Sequence, residues 1–277
     1  MKIHYKFILI LLSGASIFFS DRSLSQLSQE EICSAAKESN IKVFNSTAWG
    51  SGVIISKEVT PNSPYFTYTV ITNDHVLDEG ISFVEVQSSD QQLYKASILV
   101  RYLHSSETGY DLAVLQFESA QNYKVVSINE WDRQSELIST GISLFTDPKL
   151  SDDDGFLCSE FVHVSRYLEH EMMGGYQLGY SFGVRQGMSG GGIYDHFGHL
   201  VGINGKGRAV IASAESYLYR DRTLVQQDLS LSMPLEAAQI LLRESSWGIS
   251  VKAIAYLLPS GLSVAKIDPK ENISNSQ

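Results

Sequence analysis

Short segments rich in β-branched and aromatic residues recur through the chain, with turn residues between them. In the first half these segments are Gly52 to Ile55, Tyr65 to Thr72, Ile81 to Val86, Tyr94 to Tyr102 and Leu112 to Phe117. Such composition and spacing are typical of β-strands. No long amphipathic helix interrupts them, which argues against β-α-β units. The pattern therefore predicts an all-β barrel or sandwich.

A second group of β-rich segments begins near Gly141, after a polar stretch at residues 121–140 that we interpret as a linker. Its members are Phe156 to Ser165, Tyr176 to Tyr180, Gly192 to Tyr194 and His199 to Asn204. Helical patterns flank the two groups, at Glu30 to Ser39 and from Ser232 onward. The sequence thus predicts two β-rich regions, residues 26–130 with a short N-terminal helix and residues 131–235. A C-terminal helix and a polar tail follow at residues 236–277.

Residues 1–25 have the layout of a secretory signal peptide. Lys2 and Lys6 precede an apolar run from Phe7 to Phe19, and Ser23 and Ser25 form a small-x-small pattern after it. The apolar run is too short to anchor the chain across a bilayer. We therefore expect a secreted or periplasmic protein without a membrane anchor once the signal is removed.

The formal net charge of −10 argues against a nucleic-acid partner, because phosphate binding requires a basic face. The chain contains two cysteines, Cys33 and Cys158. In an exported chain they can form a disulfide, and the alternative is two buried free thiols.

The segment from Arg185 to Asp195, RQGMSGGGIYD, concentrates four glycines around one serine, Ser189. It fits the G-x-S-x-G elbow of α/β-hydrolases, which would make the chain an esterase. That fold requires a helix directly after the serine and a histidine far beyond it. The residues after Ser189 favour a turn and a strand, and the later histidines, His196 and His199, follow too closely. The elbow is therefore the weaker interpretation.

Two segments upstream supply the other partners of a nucleophilic serine. His75 lies in TVITNDHVLDEG, just after a predicted strand, and Asp111 lies in GYDLAVLQF, just before one. These two segments and GMSGGGIYDHFGHLVGINGKG resemble three ordered motifs of the trypsin-like serine protease family. The resemblance spans roughly residues 41–235 and is closest to the simplified bacterial members of the family.

The resemblance implies a fold of two antiparallel β-barrels and a His75, Asp111 and Ser189 triad, with His75 as general base and then general acid. The backbone amides of Gly187 and Ser189 would form the oxyanion hole. Gly183 and Val184 would lie at the floor of the specificity pocket, and Gly205 and Gly207 on the strand that pairs with substrate. A peptide or protein is the implied partner, and no cofactor is needed. No acidic residue stands near the pocket floor, which weakens a prediction of cleavage after Arg or Lys.

Four features leave alternatives open. Asn73 and Asp74 replace two small residues of the family motif, so the chain could be a non-catalytic scaffold with a protease-like fold. Asp74 and Asp78 could compete with Asp111 for His75. Asp195, His196 and His199 could suggest a metal, although the resemblance places a hairpin turn there. Met188 stands where zymogen-activated members carry an aspartate, so we expect no such activation and another way of holding the oxyanion loop.

Overall fold

The structure, a computed structural model, describes residues 26–59, 63–102, 109–133, 136–144, 155–208, 217–260 and 262. The predicted signal peptide and most of the predicted polar tail lie outside these residues. None of the helices in the described ranges combines the length and hydropathy needed to cross a membrane.

The first half of the chain forms a closed six-stranded barrel preceded by a helix. The helix is α1, Gln29–Ser39, and the strands are β1 Asn40–Phe44, β2 Trp49–Val59, β3 Phe66–Thr72, β4 Phe83–Gln87, β5 Leu93–Arg101 and β6 Ala113–Ser119. Around the barrel the order is β1-β2-β3-β6-β5-β4, and every neighbouring pair is antiparallel. Tyr68 and Phe117 stack in the interior with their ring centroids 5.2 Å apart. Strands β2 to β6 match the first predicted group, whereas β1 was not predicted.

The second half forms a seven-stranded antiparallel sheet with three short helices. Its strands are β7 Ile138–Ile142, β8 Phe156–Cys158, β9 Val164–Tyr167, β10 Tyr176–Tyr180, β11 Gly192–Tyr194, β12 Leu200–Lys206 and β13 Ser246–Ser250. The order is β8-β7-β11-β12-β13-β10-β9. The helices are α2 Val225–Leu229, α3 Leu235–Glu244 and α4 Val251–Leu257. The segment that joins the two edge strands, β8 and β9, connects opposite parts of the sheet. In it, Val162 forms a β-bridge with Leu137, and the His163 backbone carbonyl accepts a hydrogen bond from the Ser181 amide. The sheet is therefore curled. The all-β prediction is confirmed, with a closed barrel and a second, curled sheet.

The second sheet extends beyond residue 235, where the sequence predicts a C-terminal helix and a polar tail. The chain beyond this residue contributes β13, which lies between β12 and β10 in the middle of the second sheet, and a further helix, α4. All five residues of β13 are buried, Trp247 and Ile249 among them. Two serines and a glycine interrupt its apolar residues, so the segment lacks the β-branched run that identifies a strand. The predicted strand Phe156 to Ser165 is likewise two strands, β8 and β9.

A shared core joins the two halves. Ile55 and Ile71 of the barrel lie in one buried cluster with Tyr194 and Ile203 of the second sheet. Ile32 of α1 belongs to the same cluster, so the N-terminal helix packs against the junction. The contact between the halves is therefore continuous hydrophobic packing, and the ends of strands from both halves meet along it.

Candidate active site

The pairing of β3 with β6 brings His75 and Asp111 together. In this antiparallel pair Thr72 lies opposite Ala113, so the end of β3 and the beginning of β6 are neighbours. His75 lies in a short 3-10 helix, Asp74–Val76, just after β3. The Nδ1 atom of His75 lies 2.5 Å from Oδ2 of Asp111, and the His75 backbone amide donates to Oδ1 at 2.9 Å. Two contacts thus hold the carboxylate against the imidazole.

Burial and charge act against each other in this pair. Burial acts to lower the pKa of His75, but the hydrogen bond and charge of Asp111, with that of Asp74, outweigh it, so the pKa is raised. Burial acts to raise the pKa of Asp111, but its contacts with His75 and Tyr176 outweigh it, so that pKa is lowered. Both shifts favour a carboxylate beside an imidazolium. Asp111 is only 3% exposed, whereas the His75 side chain is 43% exposed and accessible from the surface.

The two competing carboxylates near His75 have other partners. Asp74 is buried and forms an ion pair with Arg101 of β5, with 2.7 Å between Oδ1 and Nε. Asp78 accepts hydrogen bonds from the backbone amide and hydroxyl of Ser46. Asp111 is therefore the carboxylate that bonds the imidazole ring.

Sequence reasoning missed two residues of this arrangement, Arg101 and Tyr176. Tyr176, at the start of β10, donates its hydroxyl hydrogen bond to Oδ2 of Asp111. Nothing in the sequence distinguishes Tyr176 from an ordinary core tyrosine, because its contact crosses from the second sheet to the barrel. Arg101 had a weak signal, since a buried Asp74 would need a cation.

Ser189 lies on a tight turn that leads into β11. Within the turn the Met188 amide donates to the Arg185 carbonyl at 3.0 Å, and the Gly191 amide donates to the Met188 carbonyl at 2.9 Å. Gly187 has a φ of +94°, and a Cβ atom there would lie 2.5 Å from the Ile142 carbonyl oxygen. A glycine is therefore required at position 187 both for the backbone conformation and for space.

Two buried polar residues, Ser51 and Asn204, hold this turn. The Ser51 hydroxyl donates to the Gly187 carbonyl at 2.8 Å and accepts from the Ile142 amide at 2.7 Å. The Gly190 amide donates to the Asn204 carbonyl at 2.9 Å. Met188 is fully buried. Contacts with Ser51 and Asn204 thus support the loop, and the side chain at position 188 contributes apolar packing.

The amides of Gly187 and Ser189 have no acceptor within the part of the chain that the structure describes. In the described part of the chain the Met188, Gly190 and Gly191 amides donate hydrogen bonds within the protein, whereas the amides of Gly187 and Ser189 do not. Those two are the amides predicted to form an oxyanion hole. An oxygen that acquires negative charge beside Ser189 could accept from both.

Ser189 and His75 lie on either side of the junction between the two halves. The Ser189 carbonyl accepts from the Ser51 amide of β2 at 2.7 Å, and the Thr72 hydroxyl donates to the Ser51 carbonyl at 2.6 Å. Thr72 ends β3, three residues before His75. The Ser189 hydroxyl donates to the Gly205 carbonyl at 3.5 Å, and it makes no hydrogen bond with His75 in the described structure.

The four residues predicted to contact substrate fall in neighbouring segments. A Cβ atom at Gly207 would lie 2.8 Å from the Val184 carbonyl oxygen, so the two segments approach closely. The Arg208 side chain lies over Gly183, and Gly205 contacts Ser189 as described. These residues border one side of the Ser189 turn.

The remaining sequence candidates lie elsewhere. Cys33 of α1 and Cys158 of β8 are joined in a disulfide with their Cα atoms 5.8 Å apart. Asp195 accepts hydrogen bonds from the Phe197 and His199 amides, and its other oxygen lies 3.1 Å from the His199 ring. These contacts stabilise the turn between β11 and β12. Within the described ranges no group of three or more His, Cys, Asp or Glu side chains could hold a metal ion.

The α/β-hydrolase alternative fails on the element that follows the serine. That fold places a helix directly after its nucleophile. Here the turn leads into β11, which pairs with β7 and β12.

Comparison with known proteins agrees with the β-rich fold. A family profile described as a trypsin-like peptidase domain matches residues 50–203, more than half of the chain. Among solved structures, a serine endoprotease from Yersinia pestis superposes with a TM-score of 0.52 at 18% sequence identity. The match covers 84% of this chain and 65% of that endoprotease, so the chain spans less than two thirds of its length. At this identity the likeness concerns the fold. A search of curated protein sequences finds no match.

Proposed function

Since the chain belongs to the family of trypsin-like peptidase domains, we propose that it is a serine endopeptidase that uses His75, Asp111 and Ser189. The observation that carries the proposal is the short contact between His75 and Asp111 beside a serine turn with two unused amides. A serine hydroxyl is a poor nucleophile at neutral pH and needs an adjacent base. An imidazole held by a buried carboxylate is such a base.

The proposed reaction begins when Ser189 turns its hydroxyl from Gly205 toward the imidazole. His75 takes the hydroxyl proton through Nε2 while the serine oxygen attacks the substrate carbonyl carbon. Asp111 holds the proton on Nδ1 and stabilises the imidazolium that forms. His75 then gives its proton to the leaving amine, which departs and leaves an acyl-enzyme. Water, deprotonated by His75, hydrolyses the acyl group and restores Ser189.

The amides of Gly187 and Ser189 stabilise the tetrahedral intermediate in this proposal. Both lack an acceptor within the described protein, so neither has to give up a hydrogen bond when the oxyanion forms. Loss of one such donor typically raises the barrier by about 3–4 kcal/mol. Because hydrogen bonds to Ser51 and Asn204 already hold the turn, the proposed oxyanion hole needs no activating cleavage of the chain.

Substrate would lie as an extended strand along Gly205 and Gly207, with one side chain directed toward Gly183 and Val184. Arg208, which covers Gly183, supplies positive charge there. This arrangement does not favour cleavage after Arg or Lys. A peptide or protein is therefore the proposed substrate, without a basic residue before the cleaved bond.

Labelling with a fluorophosphonate probe tests the proposal. The wild-type chain should be labelled and Ser189→Ala should not. Ser165→Ala is the matched control, because the Ser165 hydroxyl bonds to Ser245, outside the proposed site, and should leave labelling intact. A folded wild-type chain that resists the probe would instead favour the non-catalytic scaffold.

The apolar N-terminal segment and the disulfide both support export. Disulfides persist in oxidising compartments, and Cys33 and Cys158 are joined in one. We therefore assign the mature protein to the periplasm or the extracellular medium. Detection of a mature N-terminus directly after Ser25 in an exported fraction would test both the export and the removal of the signal peptide.

A further inference from the structure

One carboxylate oxygen of Asp111 contacts side chains from both halves of the molecule. Oδ2 lies 2.5 Å from Nδ1 of His75, which belongs to the barrel half. The same oxygen accepts a hydrogen bond from the hydroxyl of Tyr176, which belongs to the second sheet. We propose that Tyr176 is a positioning residue, which fixes the Asp111 carboxylate and thereby the orientation and basicity of His75. This inference rests on the proposed function, and its test is independent of catalysis.

The space that Tyr176 occupies depends on two glycines. A Cβ atom at Gly205 would collide with the Tyr176 ring, and one at Gly174 would lie 2.7 Å from it. Gly205 also accepts the hydrogen bond of Ser189. The phenol thus fills a slot between Asp111 and the strand next to the serine, and a larger residue at 205 would displace it.

The segment before Tyr176 is tied to the acid by further contacts. The Asp111 amide donates to the Gly174 carbonyl at 2.9 Å, and Tyr110 forms a β-bridge with Gly174. The Tyr110 hydroxyl donates to Glu171 at 2.5 Å and accepts from Arg220 at 2.7 Å. The chain from residue 171 to residue 176 therefore holds both Asp111 and its neighbour, so the position of the phenol is determined by several contacts.

Two carboxylates, Asp111 and Asp74, influence the His75 ring, and Tyr176 contacts Asp111. The other carboxylate that influences the ring, Asp74, is paired with Arg101. Burial and the charge of Asp111 hold the pKa of Tyr176 well above its usual range, so the phenol remains a donor. A donor to Asp111 withdraws negative charge from the oxygen that faces the imidazole.

The test is the variant Tyr176→Phe, which removes only the hydroxyl. Without that donor the carboxylate charge acts more strongly on the ring, so the pKa of His75 should rise by about half a unit or more. The measurement is an NMR titration of the imidazole in the resting protein. With peptide substrate, kcat should fall about tenfold with little change in KM, and the acidic limb of the pH profile should move upward.

Tyr68→Phe is the matched control. Tyr68 is a fully buried tyrosine of the barrel whose hydroxyl donates to the Gln121 carbonyl at 2.7 Å. Its loss should lower thermal stability and leave the His75 titration unchanged. If Tyr176→Phe fails to fold, Gly205→Ala provides the same titration readout, because the added methyl group displaces the ring.

The titration separates this inference from the proposed function. A folded Tyr176→Phe protein with an unshifted His75 pKa overturns the positioning role, whatever its activity. A shifted pKa in a chain whose wild type resists the fluorophosphonate probe supports the positioning role and rejects the peptidase. A shift of equal size in Tyr68→Phe would also overturn it, since any lost buried hydroxyl would then have the same effect.

Discussion

Arg101 and Asp74 form an ion pair beside His75, with 2.7 Å between Arg101 Nε and Asp74 Oδ1. The same guanidinium donates to the carbonyls of Leu77 and Asp78 in the loop that follows His75. Arg101 therefore both neutralises the buried carboxylate adjacent to His75 and ties that loop to β5. The unusual aspartate before His75 is compatible with a His75 and Asp111 pair because it has its own cation.

Removal of this cation should destabilise the fold. Arg101→Met removes the cation that pairs with the buried Asp74 carboxylate, so we expect a loss of about 3 kcal/mol in the free energy of unfolding. Urea denaturation measures it. The double variant Asp74→Asn with Arg101→Met should recover most of the loss. Equal stability of the single and double variants would show that Asp74 is not a buried charge.

The pH dependence of the His75 and Asp111 pair follows from the two pKa shifts. His75 must be neutral to accept a proton, and its pKa is raised, so kcat/KM should rise through an acidic limb above about pH 6.5. In Asp111→Asn the stabilising charge is lost while burial remains. The limb should therefore move to lower pH, with a large fall in kcat. A limb at the same pH in both proteins would assign it to another group.

The same pair should contribute to stability over a defined pH window. The raised pKa of His75 gives stability that is complete below about pH 6.5 and is lost as pH rises through the folded-state value. The lowered pKa of Asp111 gives stability that is complete above about pH 3.9 and is lost as pH falls through its folded-state value. The difference in unfolding free energy between wild type and Asp111→Asn should thus be largest between these limits. Urea denaturation at several pH values measures it.

A pair of glycine substitutions separates backbone strain from loss of the oxyanion hole. Gly187 and Gly80 both have positive φ, but a Cβ atom at Gly187 meets the Ile142 carbonyl, whereas nothing lies within 4 Å at Gly80. Gly80→Ala should cost about 1 kcal/mol of stability and retain activity. Gly187→Ala should cost more stability and lower kcat about 100-fold, because the amide moves. Parallel unfolding and kinetic measurements check this, and equal activity in the two variants would contradict the role of Gly187.

Reduction of the disulfide should lower stability without loss of the site. Cys33 and Cys158 are 125 residues apart. A disulfide that closes so long a loop lowers the conformational entropy of the unfolded chain and thereby raises the free energy of unfolding by about 4–5 kcal/mol. We expect a loss near this size in unfolding experiments with and without reductant. The double variant Cys33→Ser with Cys158→Ser is the control for other effects of the reductant. A stability unchanged by either treatment would mean that α1 is held by packing alone.

Five of the six barrel strands were predictable because each of the five has a local signature. Alternating β-branched and aromatic residues between turn residues marked β2 to β6, and the glycines near Ser189 marked a constrained turn. β13 was missed because its serines and glycine hide a strand whose burial comes from its neighbours. Its position in the sheet depends on β10 and β12, which are distant in the sequence.

The sequence by itself determined the all-β class, the order of the three motifs and the candidates His75, Asp111 and Ser189, since these depend on local residue patterns. Only the tertiary structure decided which groups meet: Arg101 with Asp74, Tyr176 with Asp111, and Ser51 with Gly187. Each of these contacts joins residues at least 27 positions apart. Hydrogen bonds and ion pairs need their atoms within a few ångströms, and the packing of the two halves sets those distances. A linear pattern of residue types does not contain them.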